Sequence, residues 1–204
     1  MLSEDWYRNF AELSQVEREG FDYSVQATRR ASRIAIIAPH GGGIEPGTSE
    51  LARAIAGWSY SCYTFEGLKK SGNELLHITS TLFDEPKCIS LVQSSYSVLA
   101  LHGYQGQQPI TYVGGADGKL QAQLKQSLDA AGFEVRPAPA GVSGSQPHNV
   151  CNRGMSGAGA QLELTEALRL SMFRGLKRQE RKYSTRLFHD FVDAVRKALA
   201  AASK

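Results

Sequence analysis

Cysteine is scarce in this chain, and its number is odd. Cys62, Cys88 and Cys151 are the only three among 204 residues. That excludes a disulfide framework and points to synthesis in a reducing compartment. Long hydrophobic runs are missing too: no stretch approaches the roughly 20 apolar residues that span a bilayer. The amino terminus, Met1-Leu2-Ser3-Glu4-Asp5-Trp6, has neither a basic start nor an apolar centre. A secretory signal is therefore not expected, and the cytoplasm is the expected place of synthesis. There is no internal repeat, low-complexity tract or convincing linker, so one domain over residues 1–204 is expected. The net charge is only +3. The basic cluster at 177–182 has no interleaved aromatics, which argues for a solvated face rather than nucleic-acid binding. Neither nucleic acid nor membrane is an expected partner. Mild positive charge is still compatible with a polyanionic substrate.

What is present is ordinary globular material, with 42% hydrophobic and 21% charged residues. Residues 6–20 have amphipathic helical spacing at Phe10, Leu13 and Val16. Residues 33–38 read as a buried strand. Leu51, Ile55 and Trp58 follow with helical spacing, and Gly57 is placed to end that helix. Residues 59–65 and 75–78 read as short strands with a turn at 67–72. Further strands are expected at 97–101, 110–113, from 133 to 136, and 161–164. Asp117 can cap a helix that carries Leu120, Leu124 and Leu128 and closes at Gly132. Residues 137–159, rich in Gly, Pro and Ser, read as a long loop, a form often tied to function. A terminal helix from Thr185 carries Leu187, Phe191, Val195 and Leu199. Strands alternating with helices predict an α/β fold: a mainly parallel or mixed open sheet flanked by helices, with the site at the carboxyl ends of the strands.

The chemistry is expected at two strand ends. Residues 33–38 run into Pro39-His40 and then three glycines, and Glu45 follows. The glycines allow a bend sharp enough to bring His40 and Glu45 together. The second apolar run, 97–101, ends in His102-Gly103. Two histidines and one carboxylate make a credible open zinc site with a fourth position for water. Glu50 competes as a ligand, although its place at a helix start suits a dipole interaction.

Glu163 stands between Leu162 and Leu164, where an unpartnered carboxylate is costly. It reads either as a general base or as a buried acid paired with an arginine. Asn152 and Arg153 read either as a carboxylate-binding pair or as loop-stabilising groups. Cys151 with His148 gives little support for a thiol hydrolase, since nothing in their spacing activates a thiolate. His77 reads as a core histidine before a third ligand, and His189 as a surface or packing group.

These stretches, taken in order, resemble the poly-γ-glutamate hydrolase family of phages, prophages and bacteria. The resemblance rests on residues 38–51, 63–67, 76–80, 101–103, 113–115, 149–153 and 159–164, and spans roughly residues 20–173. It implies a zinc enzyme with a fold similar to the zinc carboxypeptidases. It implies His40, Glu45 and His102 as metal ligands, Glu163 as the catalytic carboxylate, and Asn152 with Arg153 as the holder of a substrate carboxylate. Two departures from carboxypeptidases stand out. Four residues separate His40 from Glu45 instead of two, and Asn152-Arg153 follows the second histidine instead of preceding it. The role of Arg153 is therefore open.

The resulting expectation is zinc-dependent hydrolysis of γ-glutamyl amide bonds in poly-γ-glutamate. A phage-derived protein of this kind can act outside the cell after lysis. The alternatives are a carboxypeptidase-like or amidoacid-hydrolysing zinc enzyme on a smaller substrate, and a non-catalytic polyanion-binding module.

Overall fold

The computed structural model describes residues 5–202. Residues 1–4, on which the reading of the amino terminus partly rests, and 203–204 lie outside the described residues. Seven strands form one sheet: β1 (Tyr23–Thr28), β2 (Ile34–Gly42), β3 (Ser61–Gly67), β4 (Ser97–Tyr104), β5 (Ile110–Gly115), β6 (Glu134–Pro137) and β7 (Ala160–Thr165). Their spatial order is β1-β3-β2-β4-β7-β5-β6. β2 pairs parallel with β3 and β4, β4 with β7, and β5 with β6. β1 against β3 and β5 against β7 are antiparallel. The sheet is thus mixed around a parallel centre, and its central strands are near-continuous apolar runs because both faces are covered.

Alternation sorts those strands onto two cores. Ile36, Leu99, Leu101, Leu162 and Leu164 face a layer made by α2 (Thr48–Ala56), α4 (Gly118–Ala130), α5 (Glu166–Met172) and α6 (Arg186–Ala202). Ala35, Ile37, Val98 and Ala100 face the other way, under α1 (Phe10–Val16) and α3 (Pro86–Gln93). This second core takes no residue from β5, β6 or β7 among the described residues. Helices therefore cover only one half of that sheet face. Among the described residues no helix is long and apolar enough to cross a membrane.

Several expected elements form for the expected reason. The Asp117 side chain accepts from Leu120 N at 2.9 Å, and Leu120, Leu124 and Leu128 are buried along α4. Along α6, Phe191, Val195 and Leu199 are buried, while Leu187 lies at the margin. Others differ. Residues 75–78 are not a strand: Asn73–Leu76 is a 3-10 turn, begun after Gly72 in the left-handed region. The first helix covers only Phe10–Val16; Leu13 is buried and Val16 is exposed. α2 ends at Ala56, and Trp58 projects into solvent with 87% of its surface exposed. The segment 137–159 is not structureless; it holds 3-10 turns at Ala140–Val142 and Val150–Asn152.

β2 is the strand that matters most for the site. It does not stop at residue 38 but continues to Gly42. Its pairing with β3 shifts register between Ala38 and Gly41. Pro39, which has no N–H to give the ladder, sits inside that irregularity. Strict alternation would turn His40 to the same face as Ile36 and Ala38. The irregularity re-aims it to the opposite face, where its ring stands 6.0 Å from that of Phe83.

Candidate metal centre

The carboxyl ends of β2 and β4 and the loop after β2 bring three side chains to one point. His40 Nδ1 and His102 Nδ1 are 3.2 Å apart. Glu45 places Oε1 3.2 Å from the first and Oε2 3.6 Å from the second. Both histidines are buried. Backbone contacts fix the loop: Glu45 N donates to His40 O at 2.8 Å, and Gly103 N donates to Glu45 Oε2 at 2.8 Å.

Two glycines are needed for this approach. Gly42 has φ +66°, and a Cβ there would lie 2.5 Å from Gly67 O. A Cβ on Gly103 would lie 2.8 Å from both Glu45 Cβ and the Arg169 guanidinium carbon. Arg169 closes the back of the site. Its guanidinium donates to Leu164 O at 3.0 Å, Pro46 O at 2.7 Å and Tyr104 O at 3.3 Å. It ties the Glu45 loop to β4 and β7, and forms no ion pair among the described residues.

The donor set fits a metal ion. His40 Nε2 lies 2.8 Å from Ile78 O, a contact that requires a protonated Nε2. Burial, reinforced by the neighbouring His77, lowers the His40 pKa to about 4, so the ring is neutral and Nδ1 carries a lone pair. His102 Nε2 has Ser80 Oγ at 3.4 Å. Such partners on the far ring nitrogen orient metal-binding histidines. Burial works to raise the Glu45 carboxyl, but His40 and His102 outweigh it and hold Glu45 well below the usual range, ionised. Two nitrogens each about 2.0–2.1 Å from one tetrahedral ion stand about 3.3 Å apart, which matches the observed spacing. Three donors leave a fourth position open.

A third histidine stands beside them. His77 Nε2 is 3.9 Å from Glu45 Oε1, and its ring is 4.0 Å from that of His40. His40, Glu45 and His77 thus form a second three-donor group, with donor atoms all within 4.8 Å of one another. Asp5 engages His77 Nδ1 at 2.6 Å and also accepts from Thr79 N. His77 is therefore not a core histidine but a partly exposed group on the rim of the site. Its approach depends on Asp5, 72 positions away in the chain, which local spacing does not reveal.

Glu163 joins from β7. It is in register with His102, so both side chains project from the same face. It is buried, and Gln161 Nε2 donates to its Oε1 at 2.9 Å. Burial, helped by the nearby Glu45 charge, pushes its carboxyl up to about 7 against the opposing pull of His102. No arginine forms an ion pair with Glu163 among the described residues, so the buried-pair alternative fails.

Asn152 and Arg153 do not join the site, which corrects their expected role as a carboxylate holder. Asn152 is buried. Its Oδ1 accepts from Ala116 N at 3.2 Å and Gly159 N at 3.0 Å, and its Nδ2 donates to Gly144 O at 2.8 Å and Gln146 O at 2.9 Å. Its hydrogen-bonding capacity goes to holding the long loop together. Arg153 donates to Phe83 O at 3.0 Å and lines an open hollow with Asp84 and α3. Cys151 is buried and its thiol is pushed up to about 12 by burial, which removes it as a nucleophile. Glu50 is held by Arg181 Nε at 2.7 Å, away from the histidines.

A family model for poly-γ-glutamate hydrolase matches residues 7–194. The chain belongs to the poly-γ-glutamate hydrolase family. Within the family it is similar to the UPF0714 protein YndL of Bacillus subtilis (strain 168), with 41% identity over 178 residues, 85% of this chain and 69% of YndL. The fold is that of a bacteriophage poly-γ-glutamate hydrolase, with a TM-score of 0.95, 32% identity and 98% of each chain covered. It is equally that of a zinc-free apo form of YndL, with a TM-score of 0.94, 36% identity, and 98% of this chain and 100% of that one covered. Family membership thus agrees with the donor set: a relative whose apo form is described as zinc-free shares the fold that carries these histidines.

Proposed function

We propose that this chain hydrolyses γ-glutamyl amide bonds of poly-γ-glutamate, with zinc held by His40 Nδ1, Glu45 and His102 Nδ1. The observation that carries this reading is the convergence of those three donors beside the buried Glu163, in a member of this family. Zinc, when bound, lowers the pKa of water and polarises a carbonyl. The chain's own groups do the rest. Neutral His40 and ionised Glu45 supply two of the donors without a prior proton loss, whereas His102, whose charged form is opposed by burial but favoured more by Glu163 and Glu45, gives up a proton on binding. The contacts to Ile78 O and Ser80 Oγ keep both rings aimed. Glu163, with a carboxyl near neutrality, takes a proton from the attacking water and delivers it to the leaving nitrogen. Gln161 fixes the rotamer of Glu163 through the 2.9 Å bond. His77, held by Asp5, lines the rim beside His40.

Incubation of zinc-loaded protein with purified poly-γ-glutamate, with and without a chelator, tests this by product sizing. Chain shortening that the chelator stops and zinc restores is expected. Intact polymer after incubation with zinc-loaded protein would overturn the reading. Cleavage of short γ-glutamyl amides alone would move the substrate to a smaller amidoacid.

A further inference from the structure

The sheet register extends beyond the reacting groups. His102 on β4 is opposite Glu163 on β7, Glu163 is opposite Tyr112 on β5, and Tyr112 is opposite Arg136 on β6. Residues directly opposite one another point to the same face. The four side chains therefore form one row across the sheet, on the face opposite α2, α4, α5 and α6. Strands lie about 4.8 Å apart, so Arg136 stands about 10 Å from Glu163 along the row. Arg136 is exposed, and so is its partner Glu134, two residues earlier on the same face. Tyr112 is half-buried, with its ring edge-on to Tyr104 at 5.4 Å. Beside the row the loop is tied to β7, since Gln161 Nε2 donates to Val142 O at 2.8 Å.

We propose that this row is a substrate channel, in which Tyr112 forms the floor and Arg136 binds a side carboxylate of the polymer away from the scissile bond. The proposal rests on the polymer reading of the substrate. A γ-linked glutamate adds five chain bonds per residue, roughly 6 Å when extended. A carboxylate one or two residues from the cut therefore reaches Arg136, whose planar fork suits it. Glu134 competes for that fork and repels the incoming polyanion. The chain thus carries a cation for binding and an adjacent acid that tempers it, both outside the reacting centre.

The test compares Arg136→Gln, Arg136→Lys and Glu134→Gln with the parent. Each is assayed on long poly-γ-glutamate and on the shortest oligomer the parent cleaves. Arg136→Gln should raise KM for the polymer roughly fivefold, the scale of one well-formed surface ion pair, with kcat kept. Arg136→Lys should recover part of the loss. Glu134→Gln should lower KM, a change of opposite sign that a merely structural role does not produce. The shortest oligomer, which carries fewer carboxylates beyond the cut, should show smaller changes than the polymer. Polymer KM values equal to the parent's, or equal changes on both substrates, would overturn the channel while leaving the hydrolase reading intact. A parent that leaves the polymer whole would overturn both.

Discussion

At the scale of single residues, the site is built from where protons and lone pairs can be. His40 must give its Nε2 proton to Ile78 O, so only Nδ1 remains to bind. His102 Nδ1 stands at the spacing of a shared ion, whereas His77 Nε2 stands back at 3.9 Å from Glu45 with its other nitrogen held by Asp5. The two three-donor groups therefore make different forecasts. Zinc content per chain should fall to near zero in His102→Ala and stay close to the parent in His77→Ala. The reverse pattern would shift the third ligand to His77. The convergence of His40, Glu45, His102 and Glu163 was legible in sequence because each is a polar group set in or just after an apolar or glycine-rich run. His77 was misread because its meaning comes from Asp5. Asn152 and Arg153 were misread because the bonds they satisfy depend on the path of their own loop.

At the scale of elements, the irregularity in β2 decides the site more than any helix does. A proline in a central strand is an unusual choice, and here it marks the point where alternation is broken to turn His40 around. Apolar runs made β4 and β5 legible, alternation made β7 legible, and spacing with an Asp cap made α4 legible. β1 was missed: its side chains run from buried Tyr23 to exposed Thr28, so it lacks a clean alternation. α3 was missed although its start carries a signal, Glu85 capping Cys88 N with Pro86 in the first turn. One contact between elements can be tested by pH. Arg53 on α2 pairs with Glu66 on β3 at 2.8 Å. Burial works to raise the Glu66 carboxyl, but the Arg53 pair and the Ser49 hydroxyl outweigh it and hold it below the ordinary value. A lowered folded pKa stabilises the protein above the unfolded value of about 4.3, and this contribution is lost as pH falls through the folded value. The melting temperature of Glu66→Gln should therefore lie below the parent's at pH 7, with the gap closing under acid conditions. A gap that widens as pH falls would contradict this coupling.

At the scale of the whole molecule, one sheet separates two tasks. The face under α2, α4, α5 and α6 supplies the larger apolar core; the opposite face carries the smaller core on β2 and β4 and takes the 137–159 loop on β7. The proposed row would let a long substrate lie across β7, β5 and β6 while its scissile bond reaches the histidines. Glu163 is proposed to move the proton beside a metal it does not bind. The direct measurement is polymer cleavage per zinc-loaded molecule in Glu163→Gln against the parent, with zinc determined on the same samples. Equal zinc and a turnover lower by about 10²- to 10⁴-fold are expected. Near-parent turnover at equal zinc would contradict it.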